Sequence, residues 1–275
     1  MEYYKYMTEQ IFDNKLYYRT NEWKPERITL VFVHGVCGSS SAWWEFEKRL
    51  TDKYNILAYD IRGHGKSKRF TEYDDYKIEN FGSDLYELVN FLNIKKFVMI
   101  THSFGTFIAL DFIDKHSEYL IATIFLSPNY NASLIPEVRT AKPFINIISK
   151  IKFPIRTTKE RKHLDYLKDF PNSGDYNIRR TIADVSNTSL RVYLYCVKQL
   201  YSFDGEKILG KINFPTLIIH GKEDTIFPTK YGELMASKIS GSRIIKLDNV
   251  CHEIKDNLVT IDKIYNEMEN FLKNF

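Results

Sequence analysis

Ser103 stands in Thr101-His102-Ser103-Phe104-Gly105, directly after the apolar run Phe97-Val98-Met99-Ile100 and before Thr106-Phe107-Ile108-Ala109-Leu110. A serine hydroxyl is a poor nucleophile unless a sharp strand-to-helix turn lifts it clear of the backbone, beside a base and at the positive end of a helix. The spacing has the form of such a nucleophile elbow. It departs from the usual pattern at Thr101, where glycine is expected two residues before the serine; the branched side chain should tighten or distort the turn. Acyl transfer also needs two N–H donors aimed at a developing oxyanion. Gly35, in the loop His34-Gly35-Val36-Cys37-Gly38-Ser39-Ser40, lets backbone approach a substrate closely. The expected donors are therefore Val36, from this loop, and Phe104, the residue after the serine.

These residues need strands to carry them. Ile28-Thr29-Leu30-Val31-Phe32-Val33 is an apolar, β-branched run that reads as a buried parallel strand ending at His34. Tyr54 to Tyr59 reads as another, followed by the charged turn Asp60-Ile61-Arg62-Gly63-His64-Gly65-Lys66-Ser67, and Ile121 to Leu126 as a third. Thr216 to His220 leads into Gly221-Lys222-Glu223-Asp224-Thr225-Ile226-Phe227-Pro228, and Ser242 to Leu247 into Asp248-Asn249-Val250-Cys251-His252-Glu253. Ser103, Asp224 and His252 thus all fall just past the carboxyl end of a strand, where reactive groups collect in open α/β sheets. Short strands are also expected near Tyr3 to Tyr6 and Lys15 to Arg19. Helices are expected over Ser41 to Leu50, Tyr76 to Leu92, Phe104 to Lys115, Thr229 to Ile239 and Val259 to Leu272, with Phe81, Leu85, Leu88 and Leu92 forming one sheet-facing stripe.

In this order, His34-Gly35, Asp60 to Ser67, the Ser103 elbow, Gly221 to Asp224 with Pro228, and Cys251-His252 resemble the landmarks of the α/β-hydrolase fold superfamily. The chain is similar to its small, esterase-like members with a single helical cap, from about Ile28 onward. The resemblance implies a mostly parallel eight-stranded sheet with helices on both faces and an inserted helical cap. It also implies Ser103 as nucleophile, His252 as general base and acid, and Asp224 as the carboxylate orienting the imidazole; Glu223 is the alternative acid. His34, His64, His102 and His220 read as turn-shaping or gap-filling. The Asp60 to Ser67 turn is expected to brace the loops around the site rather than to react.

About eighty residues separate the strand ending at Leu126 from the next, too many for a structureless loop. The expected domains are 1–128 as the first part of the core, 129–210 as the helical cap and 211–275 as the second part. The cap segment holds 14 Lys and Arg against 8 Asp and Glu, while the whole chain carries a formal charge of +4. That surplus reads either as attraction for an anionic substrate or acidic surface, or as ordinary solvated helix faces. Phe144, Phe153, Tyr166, Phe170, Tyr193 and Tyr195 would line an acyl pocket or hold the cap together.

None of the seven histidines has metal-ligand spacing, the Gly35 loop lacks the Lys-Ser/Thr ending of a phosphate-binding loop, and no nucleic-acid motif is evident. No metal, cofactor or nucleic-acid partner is expected. Three cysteines in no framework spacing, with no signal-like start and no membrane-length apolar run, point to a cytoplasmic protein without disulfides. Cys37 and Cys251 are expected to border the site, either as small packed side chains or as thiols whose modification would slow the enzyme by crowding.

The expected reaction is hydrolysis of a carboxylic ester or thioester carrying a small or medium acyl group. The alternatives are a carbon–carbon bond hydrolase or lyase acting on an anionic substrate, and a non-catalytic ligand receptor on the same scaffold. The aspartate-nucleophile branches are set aside by Ser103, and a proline-type aminopeptidase is disfavoured, though kept, by a Gly35 loop without Gly-Gly-Pro-Gly character.

Overall fold

The computed structural model describes residues 7–155, 161–255 and 257–275. Eight strands form one sheet in the order β1-β2-β4-β3-β5-β6-β7-β8. They are β1 (Thr8–Phe12), β2 (Leu16–Thr20), β3 (Thr29–Val33), β4 (Asn55–Tyr59), β5 (Phe97–His102), β6 (Leu120–Leu126), β7 (Thr216–Gly221) and β8 (Arg243–Leu247). The pairs β1–β2 and β2–β4 are antiparallel and every other pair is parallel. β2 begins one residue from the expected start. The strand expected at Tyr3 to Tyr6 lies outside the described residues, and the edge strand β1 was not foreseen. Its residues are mostly exposed and carry no apolar alternation. It is set by the turn after Phe12, where Asp13 and Asn14 both adopt left-handed backbone (φ 49° and 51°), a conformation these two residue types tolerate.

Every residue of β3, β4, β5 and β7 is buried, because helices cover both faces of the sheet. Alternate strand residues serve separate cores. Val31, Val33, Met99 and Ile218 pack with Phe81, Leu85, Phe107 and Met235 from α2 (Ile78–Phe91), α3 (Gly105–His116) and α9 (Thr229–Lys238). Leu30, Phe32, Ile100 and Leu217 pack with Phe46, Leu50, Ile264 and Met268 from α1 (Trp44–Leu50) and α10 (Leu258–Leu272). The helix expected from Ser41 opens instead as a single 3-10 turn, Ser40–Trp43, before α1.

Between β6 and β7 the chain forms α4 (Pro136–Ile148), α5 (Tyr166–Asp169), α6 (Ile178–Thr188), α7 (Leu190–Leu200) and α8 (Glu206–Leu209). α7 packs against both α4 and α6. The ends of this insertion are drawn together by a hydrogen bond from the Gly205 N–H to the Tyr130 carbonyl at 2.9 Å. Its middle is tied to the loop after β4. His163 Nε2 lies 2.7 Å from Asp60 Oδ2, with both side chains almost wholly buried, and Arg161 donates to the carbonyls of Ser67 (2.5 Å) and Lys66 (3.3 Å).

Candidate active site

β5 delivers Ser103 at its carboxyl end, and α3 leaves immediately afterwards. Ser103 takes left-handed backbone (φ 53°), a strained conformation for a residue with a Cβ. It is held by its own N–H donating to Leu126 at the end of β6 (3.1 Å), and by the Thr106 N–H donating to its carbonyl (2.9 Å). Glycine is required just beyond: a Cβ on Gly105 would lie 2.6 Å from the Val33 carbonyl oxygen. Thr101 is accommodated because it lies within β5, paired with Val33 and Phe125, rather than in the turn itself. The positive-φ residue is Ser103, so the turn closes with threonine two residues earlier.

Asp224 follows β7 and His252 follows β8. His252 Nε2 lies 2.8 Å from Ser103 Oγ, and His252 Nδ1 lies 2.8 Å from Asp224 Oδ2. Asp224 Oδ1 accepts the N–H groups of Ile226 (3.0 Å) and Phe227 (2.7 Å). His220 Nε2 is 3.1 Å from Asp224 Oδ2 and 2.7 Å from the Phe227 carbonyl. A carbonyl can only accept, so this nitrogen carries the proton. The alternative acid, Glu223, turns away: its carboxylate accepts the Val250 N–H at 2.8 Å.

All three side chains are buried, and burial sharpens their electrostatics. Desolvation would raise the pKa of Asp224, but the His252 charge and the hydrogen bonds from His220 and His252 hold it well below the usual carboxylate range. Desolvation would lower the pKa of His252, and the Asp224 carboxylate overrides this to raise it above the ordinary 6.5. His102, next to the serine, is pushed down to about 3 by burial and by the nearby His252. It is neutral, and its Nε2–H donates to the His252 carbonyl at 2.9 Å. The N–H groups of Val36 and Phe104 have no acceptor among the described residues.

Two compartments meet at Ser103. One, of about 370 Å³, is apolar, walled by Val36, Ile135, Val138, Val197, Leu200 and Phe227. The other, of about 330 Å³, holds Cys37, Asp175, Arg180, Asp184, Glu253 and Lys255. Tyr193 borders both. In the polar compartment Arg180 and Lys255 each pair with Glu253, the latter at 2.9 Å, and the Tyr166 hydroxyl donates to Asp184 at 2.8 Å. Among the described residues no group of three or more His, Cys, Asp or Glu side chains is arranged to hold a metal.

A sequence model described as the alpha/beta hydrolase fold matches residues 28–257. The chain belongs to the alpha/beta hydrolase fold family. Among relatives, it is 23% identical over 230 residues to 3-oxoadipate enol-lactonase 2 of Acinetobacter baylyi, covering 81% of each chain. It is 27% identical over 270 residues to a proline iminopeptidase of Pestalotiopsis fici, covering 89% of this chain and 93% of that one. Among solved structures, a thermophilic esterase from Thermogutta terrifontis superposes with a TM-score of 0.72 at 17% identity, covering 98% of this chain and 97% of that one; this likeness speaks for the fold.

Within this alpha/beta hydrolase, sequence reasoning undervalued four residues. His102 and His220 were read as fillers, yet each hydrogen-bonds into the Ser103, His252 and Asp224 constellation. His163 and Asp175 carried no signal at all, because the hydrogen bonds that join them to the core, His163 with Asp60 and Asp175 with Thr225, His252 and Glu253, span 50 to 103 residues of chain. Of the two thiols expected at the site, Cys37 lines the polar compartment, and burial pushes its pKa well up. The Cys251 thiol faces the Glu253 carbonyl at 3.6 Å.

Proposed function

We propose that the protein is a serine hydrolase cleaving a carboxylic ester or thioester of a small or medium acyl group. Ser103 is the nucleophile, His252 the base and acid, and Asp224 the orienting carboxylate. The observation that carries this reading is the unbroken hydrogen-bonded line Ser103–His252–Asp224 opening into an apolar compartment of about 370 Å³. His252 takes the Ser103 proton as Oγ attacks the carbonyl carbon, and the Val36 and Phe104 N–H groups receive the oxyanion. Collapse of the tetrahedral intermediate passes that proton to the leaving alcohol or thiol and leaves an acyl-serine. Water, deprotonated by His252, then releases the acid.

The helical insertion, residues 129–210, serves as a cap over the core parts 1–128 and 211–275. It excludes water and walls the substrate. The acyl group enters the apolar compartment and the leaving group the polar one. An anionic substrate finds little support there: Arg180 and Lys255 are paired with Glu253, and Asp175 and Asp184 stand beside them.

The test is turnover of p-nitrophenyl esters from two to twelve acyl carbons by wild type and Ser103→Ala. We expect a rate that peaks at one chain length and falls by several powers of ten in the variant. A Ser103→Ala protein retaining most of the activity refutes the assignment.

A further inference from the structure

We infer that Asp175, supplied by the helical insertion, is a positioning residue for this reaction: its one carboxylate ties together the separate loops that carry Asp224 and His252. The inference rests on the serine hydrolase reading above. Asp175 Oδ1 accepts the His252 N–H at 2.7 Å and the Glu253 N–H at 3.2 Å. Asp175 Oδ2 accepts the Thr225 N–H at 3.0 Å and the Thr225 hydroxyl at 2.7 Å. Thr225 directly follows Asp224, so four donors from two loops converge on a single side chain. Hydrogen bonds to an ionised acceptor are among the stronger ones available.

Neighbouring contacts brace this tie. Asn257 Nδ2 donates to Asn172 Oδ1 at 2.5 Å, which fastens the same segment of the insertion to the chain beyond His252. Arg180, in the first turn of α6, donates to the Asp175 carbonyl at 3.3 Å and forms an ion pair with Glu253. The His252 loop is thereby gripped from the insertion side, while Asp224 holds the imidazole from the core side. The two loops also bond each other directly, Glu223 N–H to the Val250 carbonyl at 3.1 Å and Val250 N–H to the Glu223 carboxylate at 2.8 Å; Asp175 adds the tie at Thr225 and His252, beside the reacting side chains. A misplacement of about 1 Å in such an arrangement is enough to cost about a hundredfold in rate.

Asp175 also acts through charge. The charged groups facing His252 are Asp224 from the β7 loop, Glu253 and Lys255 from its own loop, and Asp175 and Arg180 from the insertion; His102, from β5, is neutral. Removing the Asp175 charge leaves protonated His252 with less negative charge around it. The pH below which the base is lost then moves down. A purely structural brace would change thermal stability and leave that pH where it was.

The experiment measures the rate at which a fluorophosphonate labels Ser103 between pH 5 and 9, in wild type, Asp175→Asn and Thr225→Val. This probe reports the reactivity of the serine without knowledge of the natural ester. The Asn variant keeps one acceptor oxygen for four donors and turns an NH₂ group toward one loop. We expect its labelling to slow by about tenfold or more, with the acid limb displaced to lower pH. Thr225→Val, which removes one donor and leaves the carboxylate, should slow labelling by a few fold with the limb unmoved. Wild-type rates in both variants overturn the inference, and so does a slow Asp175→Asn protein whose acid limb has not shifted. If Asp175→Asn does not fold, Thr225→Val decides, since an unchanged rate there overturns the inference. Wild-type protein that takes no label brings down the serine hydrolase reading itself, and this inference with it.

Discussion

His252 sits between two opposed influences, and its titration is the most direct residue-scale readout of the site. Burial disfavours the imidazolium, and Asp224 more than compensates. Protonated His252 cannot take the Ser103 proton. Activity is therefore expected to fall as pH drops through a value above the ordinary 6.5, read as the acid limb of kcat/KM. Asp224→Asn should move that limb down and reduce kcat by roughly four powers of ten, since an amide holds the imidazole in the wrong tautomer. His102→Gln keeps a donor for the His252 carbonyl and removes no charge at working pH, so the limb should stay where it is. A limb that follows His102 instead would reassign the titrating group.

At the scale of elements, β3 and α3 approach each other closely at Gly105. Gly105→Ala places a methyl 2.6 Å from the Val33 carbonyl and should cost about 1–3 kcal/mol as overpacking, measured as a lower urea midpoint. The loop after β4 supplies a second test. Asp60 is buried; desolvation would raise its pKa, and His163, His34 and Ser40 together hold it below the usual carboxylate range. A depressed carboxylate contributes stability that is complete above its unfolded value and is lost as the pH falls. The stability gap between wild type and Asp60→Asn should therefore narrow below about pH 4, followed by urea unfolding across pH. These elements differ in how plainly the sequence announced them. β3 and β5 could be read because both faces of each strand are buried and the runs are almost wholly apolar. The elbow could be read because Ser103 and Gly105 each answer a local steric demand. β1 could not, since its exposed residues show no alternation and only a turn at Asp13 and Asn14 sets it. Nor could the ties made by His163 and Asp175, which depend on how the insertion lies across the core rather than on any local pattern.

For the whole molecule, the proposed reaction chamber lies between the two parts of the core and the insertion, and α7 contributes Val197 and Leu200 to its apolar wall. Val197→Phe is expected to cut kcat/KM on acyl chains of eight or more carbons by about tenfold or more, while an acetate ester stays within about threefold. Unchanged chain-length preference would remove the apolar compartment from the acyl-binding role. Among the described basic residues of the insertion, Arg139, Lys150, Lys152, Lys162, Lys168 and Arg179 are exposed. Salt should therefore affect solubility more than turnover. The division of the sheet by this insertion also governs how the chain can fold. Thr123 on β6 and Thr216 on β7 are linked side chain to side chain across 93 residues. Until β7 arrives, β6 stands as a bare edge with almost every side chain apolar and no neighbour for its outer N–H and C=O groups. Half-folded molecules are templates for one another in that interval. Refolding yield should drop as protein concentration rises, and a chaperone that shields exposed strands should restore it.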